Sequence, residues 1–139
     1  MSTIAANVGC VSIGGRGVLI EGEPGSGKSS LALALIDRGA VLVGDDGVAL
    51  ETRGDRLWAL PPPNIGGLIE VRNLGLVPLP AGPAPLALVV WLDRAAPRFI
   101  DAAAHGERAG HTLPLVALDP ASPILPLLVE YALKTYGLA

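Results

Sequence analysis

One eight-residue stretch, Gly22-Glu23-Pro24-Gly25-Ser26-Gly27-Lys28-Ser29, constrains this chain more than any other. It satisfies the pattern G-x-x-x-x-G-K-[ST] at every fixed position. Glycines let backbone N–H groups close around a phosphate chain where side chains would obstruct them. Lys28 supplies a cation to the outer phosphates, and Ser29 a small hydroxyl for Mg²⁺. A helix starting at the loop points its positive end at the same anion. The flanks agree with this. Val18-Leu19-Ile20 reads as a short buried strand. Leu31 to Ile36 reads as helix, with Leu31, Leu35 and Ala34 on one face and Gly39 as its terminating glycine.

Composition then excludes several classes. With 139 residues, the expectation is one domain spanning 1–139. Half the residues are hydrophobic and mean hydropathy is +0.51, ample for a packed core. No apolar run reaches the roughly 18 residues a membrane span needs. Met1 to Asn7 lacks the basic and hydrophobic regions of a signal peptide. The single cysteine, Cys10, forms no internal disulfide and offers no metal cluster, so a cytoplasmic protein is expected. A net charge of −3 and 4% aromatic residues argue against a nucleic-acid surface.

Along the chain, Cys10–Ile13 and Gly17–Ile20 flank Gly14-Gly15-Arg16 and read as a β-hairpin feeding the phosphate loop. Ala40–Val43 reads as a strand ending in Gly44-Asp45-Asp46. A phosphate-loop protein needs a second acidic element at the end of a neighbouring strand, to hold Mg²⁺ or to act on the nucleophile. Asp45 and Asp46 are the candidates. On a continuous strand they would point to opposite sides; a break at Gly44 would let both reach the site. Val48–Thr52 and Arg56–Leu60 read as a second hairpin around Arg53-Gly54-Asp55, ended by Pro61-Pro62-Pro63-Asn64. Leu68–Arg72 alternates Glu70 and Arg72 with apolar residues, as a half-exposed strand does. Pro78 to Pro85 is a stiff connector, and Leu86–Leu92 a central buried strand. Pro97 to Glu107 reads as loop with a helical turn. His105 and His111 do not have a metal-ligand spacing and read as surface residues, with Arg108 in the same polar segment. Leu113–Leu118 is expected as a last strand. Ile124–Tyr136 is expected as a helix packing through Leu127, Leu128, Tyr131 and Leu133.

Three segments together resemble the bacterial HPr kinase/phosphorylases. They are the hairpin leading into the phosphate loop, the run Asp37-Arg38-Gly39-Ala40-Val41-Leu42-Val43-Gly44-Asp45-Asp46, and Ile69-Glu70-Val71-Arg72-Asn73-Leu74-Gly75-Leu76. The last is similar to the family signature, a glutamate-x-arginine followed by glycine, a bulky apolar residue and glycine. The resemblance covers about Cys10 to Val77. It implies an α/β phosphate-loop domain of the HPr kinase and phosphoenolpyruvate-carboxykinase-like type, a mixed sheet with β-hairpins and few helices, in the single-domain form. It implies ATP and Mg²⁺ as cofactors, an HPr-like phosphocarrier as partner, and assembly into homo-oligomers. Roles follow position by position. Gly22 to Ser30, including Lys28, bind ATP phosphates. Ser29, Glu70 and Asp45 hold Mg²⁺. Asp46 is the general base toward a serine hydroxyl, supported by Asp45, and protonated it would assist the reverse, phosphorylase, step. Arg72 orients Glu70 or meets phosphate. Asn7 stands where the family usually has histidine, and Asn73 replaces the signature's first glycine. Arg98 and Arg108 lie in the general region of the family's late arginine- and glycine-rich loop without aligning to it. Two other readings stay open: a phosphate-loop kinase for a small metabolite, and an ATP-sensing module that binds without turnover.

Overall fold

A computed structural model describes residues 2–63 and 66–139; Met1, and Asn64 of the proline-rich break, lie outside the described residues. The elements run β1 (Ser2–Ala6), β2 (Gly9–Ile13), β3 (Arg16–Gly22), α1 (Lys28–Asp37), β4 (Val41–Gly44), β5 (Gly47–Arg53) and β6 (Arg56–Leu60). They continue with β7 (Leu68–Val71), β8 (Gly75–Pro78), β9 (Ala84–Leu92), β10 (Ala104–Arg108), β11 (His111–Leu118) and α2 (Leu125–Tyr136). Nine strands make one curled mixed sheet, ordered β1-β5-β6-β9-β3-β2-β4, and β11 with β10 branches from β9. β7 and β8 form a separate two-stranded sheet.

Local chemistry accounts for the hairpins. Ile13 pairs with Arg16, so the β2–β3 turn is two residues, Gly14 and Gly15, with φ of 58° and 83°. Two consecutive left-handed residues define a type I′ turn, whose twist suits a hairpin and which glycine adopts without steric cost. β9 is the axis of the sheet, as its unbroken apolar run suggests. β3 lies along one edge of it, parallel. Along the other edge lie β6 at its start, antiparallel, and β11 at its end, parallel. Opposite Gly17 and Val18 stand Leu86 and Leu88, so Ala87 is the extra residue of a bulge. The bulge resets the alternation of β9. Leu88, Val90 and Leu92 face the helix side with Val18 and Ile20, while Leu86 and Val89 face the opposite core with Leu19.

The two helices cover the first of these faces. α1 buries Leu31, Ala32 and Leu35 there, and Ala34, expected among them, is only half-buried. α2 buries Leu125, Val129, Ala132 and Leu133. Of the four residues expected to pack, only Leu133 is fully buried; Leu127 and Tyr131 are exposed and Leu128 half-buried. Apolar residues surround this helix, so hydropathy alone does not select the face. Arg38, at the end of α1, donates two hydrogen bonds to Glu130 of α2 at 2.8 and 3.0 Å. That pairing raises the guanidinium pKa above its ordinary value.

Three strands were not expected: β1, β10, and β8, which pairs antiparallel with β7 and takes in Pro78 of the expected connector. β1 pairs antiparallel with β5 from Ser2↔Glu51 to Ala6↔Gly47. The second half of Pro97–Glu107, expected as loop with a helical turn, is instead strand β10, paired with β11 from Ala104↔Leu115 to Arg108↔His111. Its Ala109-Gly110 turn, φ 49° and 82°, favours the hairpin, and the ladder with β11 overrides weak local propensity. The sole cysteine, Cys10, is fully buried, and burial pushes its thiol pKa up.

Candidate functional site

The topology gathers the site at one edge of the sheet. β2 runs antiparallel to both β3 and β4, so these two are parallel to each other, and to β9 and β11. The carboxyl ends of β4, β3, β9 and β11 therefore emerge together, where open α/β sheets bind ligands. β2 begins at the same edge, which brings Asn7 there.

The phosphate loop follows β3. Ser26 N–H donates to the Glu23 carbonyl at 3.0 Å, closing its first turn. Gly22 is required by close approach: a Cβ there would lie 2.6 Å from Ser26 Oγ and 3.2 Å from Leu92 Cβ. Gly25 and Gly27 have φ of 78° and 102°. Lys28 Nζ donates to the carbonyls of Gly22 at 2.9 Å and Glu23 at 3.0 Å, so the ammonium lies across the loop's mouth. α1 starts at Lys28 with no side-chain cap and no acidic residue in its first turn. Its first N–H groups lack intrahelical acceptors, an arrangement suited to an anion.

β4 ends at Gly44, and Asp46 turns into the left-handed region with φ 62°. The break lets both aspartates line the same cleft, which resolves the two options left by the sequence. Asp45 is the junction. Its Oδ1 accepts from Ser29 Oγ at 2.6 Å and its Oδ2 from the Glu70 backbone N–H at 2.9 Å. One carboxylate thus ties the phosphate loop to the β7–β8 hairpin. Asn7, also left-handed with φ 61°, donates its N–H to the Asp46 carbonyl at 3.1 Å. Asparagine, aspartate and histidine are the side chains that best tolerate this conformation.

The hairpin is seated by Ile69, which is 0% exposed and part of the helix-side core. With Ile69 inward, the two-residue period turns Leu68, Glu70 and Arg72 toward the cleft. At the hairpin turn Leu74 N–H donates to the Val71 carbonyl at 2.9 Å and Asn73 has φ 74°. A left-handed third residue is a type II feature, for which asparagine is the usual substitute for glycine.

Asn7, Pro24, Gly25, Gly27, Lys28, Ser29, Ser30, Asp45, Asp46, Leu68, Glu70, Arg72 and Leu76 line a cleft of about 490 Å³. Every residue expected to catalyse or hold metal is among them. Gly22, Glu23 and Ser26 build the loop without facing this cleft. Arg72 and Glu70 line this cleft together, and no hydrogen bond joins them among the described residues. Ser29, Asp45 and Glu70 are hard oxygen donors suited to Mg²⁺, which binds through one or two carboxylates together with substrate phosphates. Among the described residues, no group of three or more His, Cys, Asp or Glu is placed to hold a metal ion by itself.

One pair was missed by sequence reasoning. Glu21, 9% exposed, accepts from Arg108 Nε and from a terminal guanidinium nitrogen, both at 2.7 Å. The hydrogen bond raises the Arg108 pKa and ties β10 to the strand entering the phosphate loop. A glutamate directly after Val18-Leu19-Ile20 was the available signal, since a buried carboxylate demands a partner. His111 Nε2 lies 2.9 Å from Thr52 Oγ1, away from the cleft.

Comparisons with known proteins bear on the family and the fold. The family model described as the HPr serine kinase C-terminal domain matches residues 2–81. The HPr kinase/phosphorylase of Mycoplasmopsis pulmonis is 45% identical over 67 residues, 48% of this chain and 22% of that protein. That of Clostridium tetani is 44% identical over 71 residues, 51% of this chain and 23% of that protein. The matched segment is thus half of this chain and less than a quarter of either relative. The solved structure of the HPr(Ser) kinase/phosphatase from Coxiella burnetii superposes with a TM-score of 0.83 at 28% identity, covering 95% of this chain and 88% of that one. The expected fold type is therefore the observed one. No helix among the described residues is long and apolar enough to cross a membrane.

Proposed function

The chain belongs to the HPr serine kinase C-terminal domain family, and on that premise we propose that residues 1–139 form one catalytic domain, a Mg-ATP-dependent serine kinase acting on an HPr-like phosphocarrier. The observation that carries this reading is the double hydrogen bond of Asp45. It brings the phosphate loop, the paired aspartates and the signature hairpin into one cleft.

Roles follow from placement. Backbone N–H groups of the loop and of the start of α1, with the Lys28 ammonium, bind the triphosphate. Ser29, Asp45 and Glu70 hold Mg²⁺. Bound there, Mg²⁺ supplies neutralisation of phosphate charge. Asp46, across the same cleft, accepts the proton of the serine hydroxyl as it attacks, and Asp45 supports it. A positioned base contributes roughly 10²–10⁴-fold; orientation and electrostatics supply most of the remainder in phosphoryl transfer. Arg72 neutralises charge on the transferred group. In the phosphorylase direction an oxygen of inorganic phosphate attacks the phosphoserine phosphorus, the bond to the serine oxygen breaks, protonated Asp46 gives that oxygen its proton, and pyrophosphate leaves. The enzyme acts in the cytoplasm as a homo-oligomer, within sugar-phosphotransferase signalling.

The test is HPr-dependent release of ADP from Mg-ATP, followed by a coupled assay. Release that needs HPr and disappears in Asp46→Asn supports the reading. Release at the same rate without HPr overturns the assignment of a protein substrate.

A further inference from the structure

A second cleft, of about 670 Å³, lies on the far side of the phosphate loop from Asp45. Glu23, Pro24, Gly25 and Ser26 form one wall. Trp91 and Leu92 at the end of β9, Asp93 and Arg94 just after it, and Pro120 and Ala121 after β11 form the rest. Pro24 and Gly25 also line the first cleft, so the two spaces share a wall. The new cleft sits outside the carboxyl ends of three adjacent parallel strands, β3, β9 and β11.

Its walls are pre-formed. Asp93 N–H donates to the Leu118 carbonyl at 2.9 Å, joining the loops after β9 and β11. Asp93 Oδ1 accepts from Ala95 N–H at 2.8 Å and Asp119 Oδ1 from Ala121 N–H at 2.9 Å. Arg94 and Asp119 approach to 3.5 Å across the rim. The main apolar element is Trp91, a cross-strand neighbour of Glu21 in the register that sets Gly22 opposite Leu92. Val90 and Leu92 on either side are buried, whereas Trp91 is 36% exposed and faces this space. Beside it, Ser26 Oγ is buried without a hydrogen-bond partner.

We propose that this cleft is the nucleobase site of the nucleoside triphosphate, with the Trp91 indole as stacking surface. The inference rests on the phosphate-loop reading above. A flat aromatic heterocycle tethered to phosphates on the loop meets a half-exposed indole and a cleft of the size usual for small ligands. Stacking on an aromatic face tolerates any base, because each has a π-face. The site therefore sets affinity for nucleotides over bare polyphosphates, with the polar rim left to choose among bases.

The experiment compares Mg-ATP with Mg-tripolyphosphate by calorimetry and by tryptophan fluorescence. The wild type is set beside Trp91→Leu and Ala121→Leu, the second crowding the cleft from an exposed loop should the first fail to fold. Either substitution should weaken ATP binding roughly 5- to 150-fold while tripolyphosphate affinity stays within about twofold. ATP, and not tripolyphosphate, should quench Trp91 emission, read in a Trp58→Phe background that leaves a single indole. ATP affinity unchanged by both substitutions, with both ligands still bound, overturns the base site alone. Failure of the wild type to bind either ligand overturns the phosphate-loop reading, and the base site with it.

Discussion

Asp45→Asn tests whether one carboxylate holds the site together. Asp45 accepts from the Ser29 hydroxyl at 2.6 Å and from the Glu70 amide at 2.9 Å. A hydrogen bond to a charged acceptor contributes about 1.5–3 kcal/mol, a neutral one about 1. Asparagine keeps an acceptor oxygen for the Glu70 N–H and turns its NH₂ toward Ser29 Oγ, whose hydroxyl can accept, so both bonds fall from charged to neutral strength, about 1–4 kcal/mol before solvent is counted. The Ser29 bond is part-buried and the Glu70 bond exposed, so water recovers a good part of this. The substitution also removes one of three carboxylates sharing the cleft, which returns roughly 1 kcal/mol at a water-like dielectric. Hydrogen bonding wins by about 1–2 kcal/mol, a fall in Tm of roughly 3–8 °C at this chain length. The sharper readout is hydrogen exchange at the Glu70 amide, which should quicken roughly 5- to 30-fold on the same free-energy change. A Glu70 amide exchanging at the wild-type rate, with Tm unmoved, would refute the claim that Asp45 couples the hairpin to the loop.

Other substitutions probe the supports. Ile69→Ala removes the buried anchor of the β7–β8 hairpin and should cost about 2–5 kcal/mol in urea unfolding; a loss below about 1 kcal/mol would mean the hairpin is seated by other contacts. Asn73→Gly relieves a left-handed backbone at φ 74° and should raise stability by up to about 1 kcal/mol with transfer unaffected; a lower Tm contradicts the turn assignment. Cys10 gives a pH signature. Its folded-state pKa is raised by burial, so the unfolded chain ionises first. Stability is intact below the unfolded thiol pKa of about 8.5 and falls as pH rises above it, by up to about 1.4 kcal/mol per pH unit. Chemical denaturation between pH 7 and 10 should show this slope in the wild type, and a shallower one in Cys10→Ala.

Sequence resolved the site better than its surroundings, for physical reasons. Each fixed position of Gly22–Ser29 matches a separate demand of the phosphate-loop pattern, so a few residues specify the loop, the helix start and the hydroxyl beside them. Asp45 and Asp46 were legible because the strand before them is short and apolar and a glycine breaks it. The Gly14-Gly15 turn announced its hairpin. What escaped depends on contacts distant in sequence. β1 and β10 carry no clear alternation and exist through their ladders with β5 and β11. Glu21 and Arg108 are 87 residues apart, and only the fold joins them. The packing face of α2 was misread because Leu127 and Tyr131, though apolar, point outward while the smaller Ala132 lies inward. The departures at Asn7 and Asn73 look different in three dimensions. Both backbones are left-handed, and asparagine is a residue that tolerates this.

The central claim is transfer of one phosphate to an HPr serine with Asp46 as base. Intact-mass spectrometry of HPr after incubation with this chain and Mg-ATP tests it most directly, with Lys28→Ala and Asp46→Asn alongside. One added phosphate is expected with the wild type and none with either variant, while Asp46→Asn still binds Mg-ATP in calorimetry. HPr of unchanged mass beside a wild-type chain that binds Mg-ATP, or equal phosphorylation by Asp46→Asn, would contradict it.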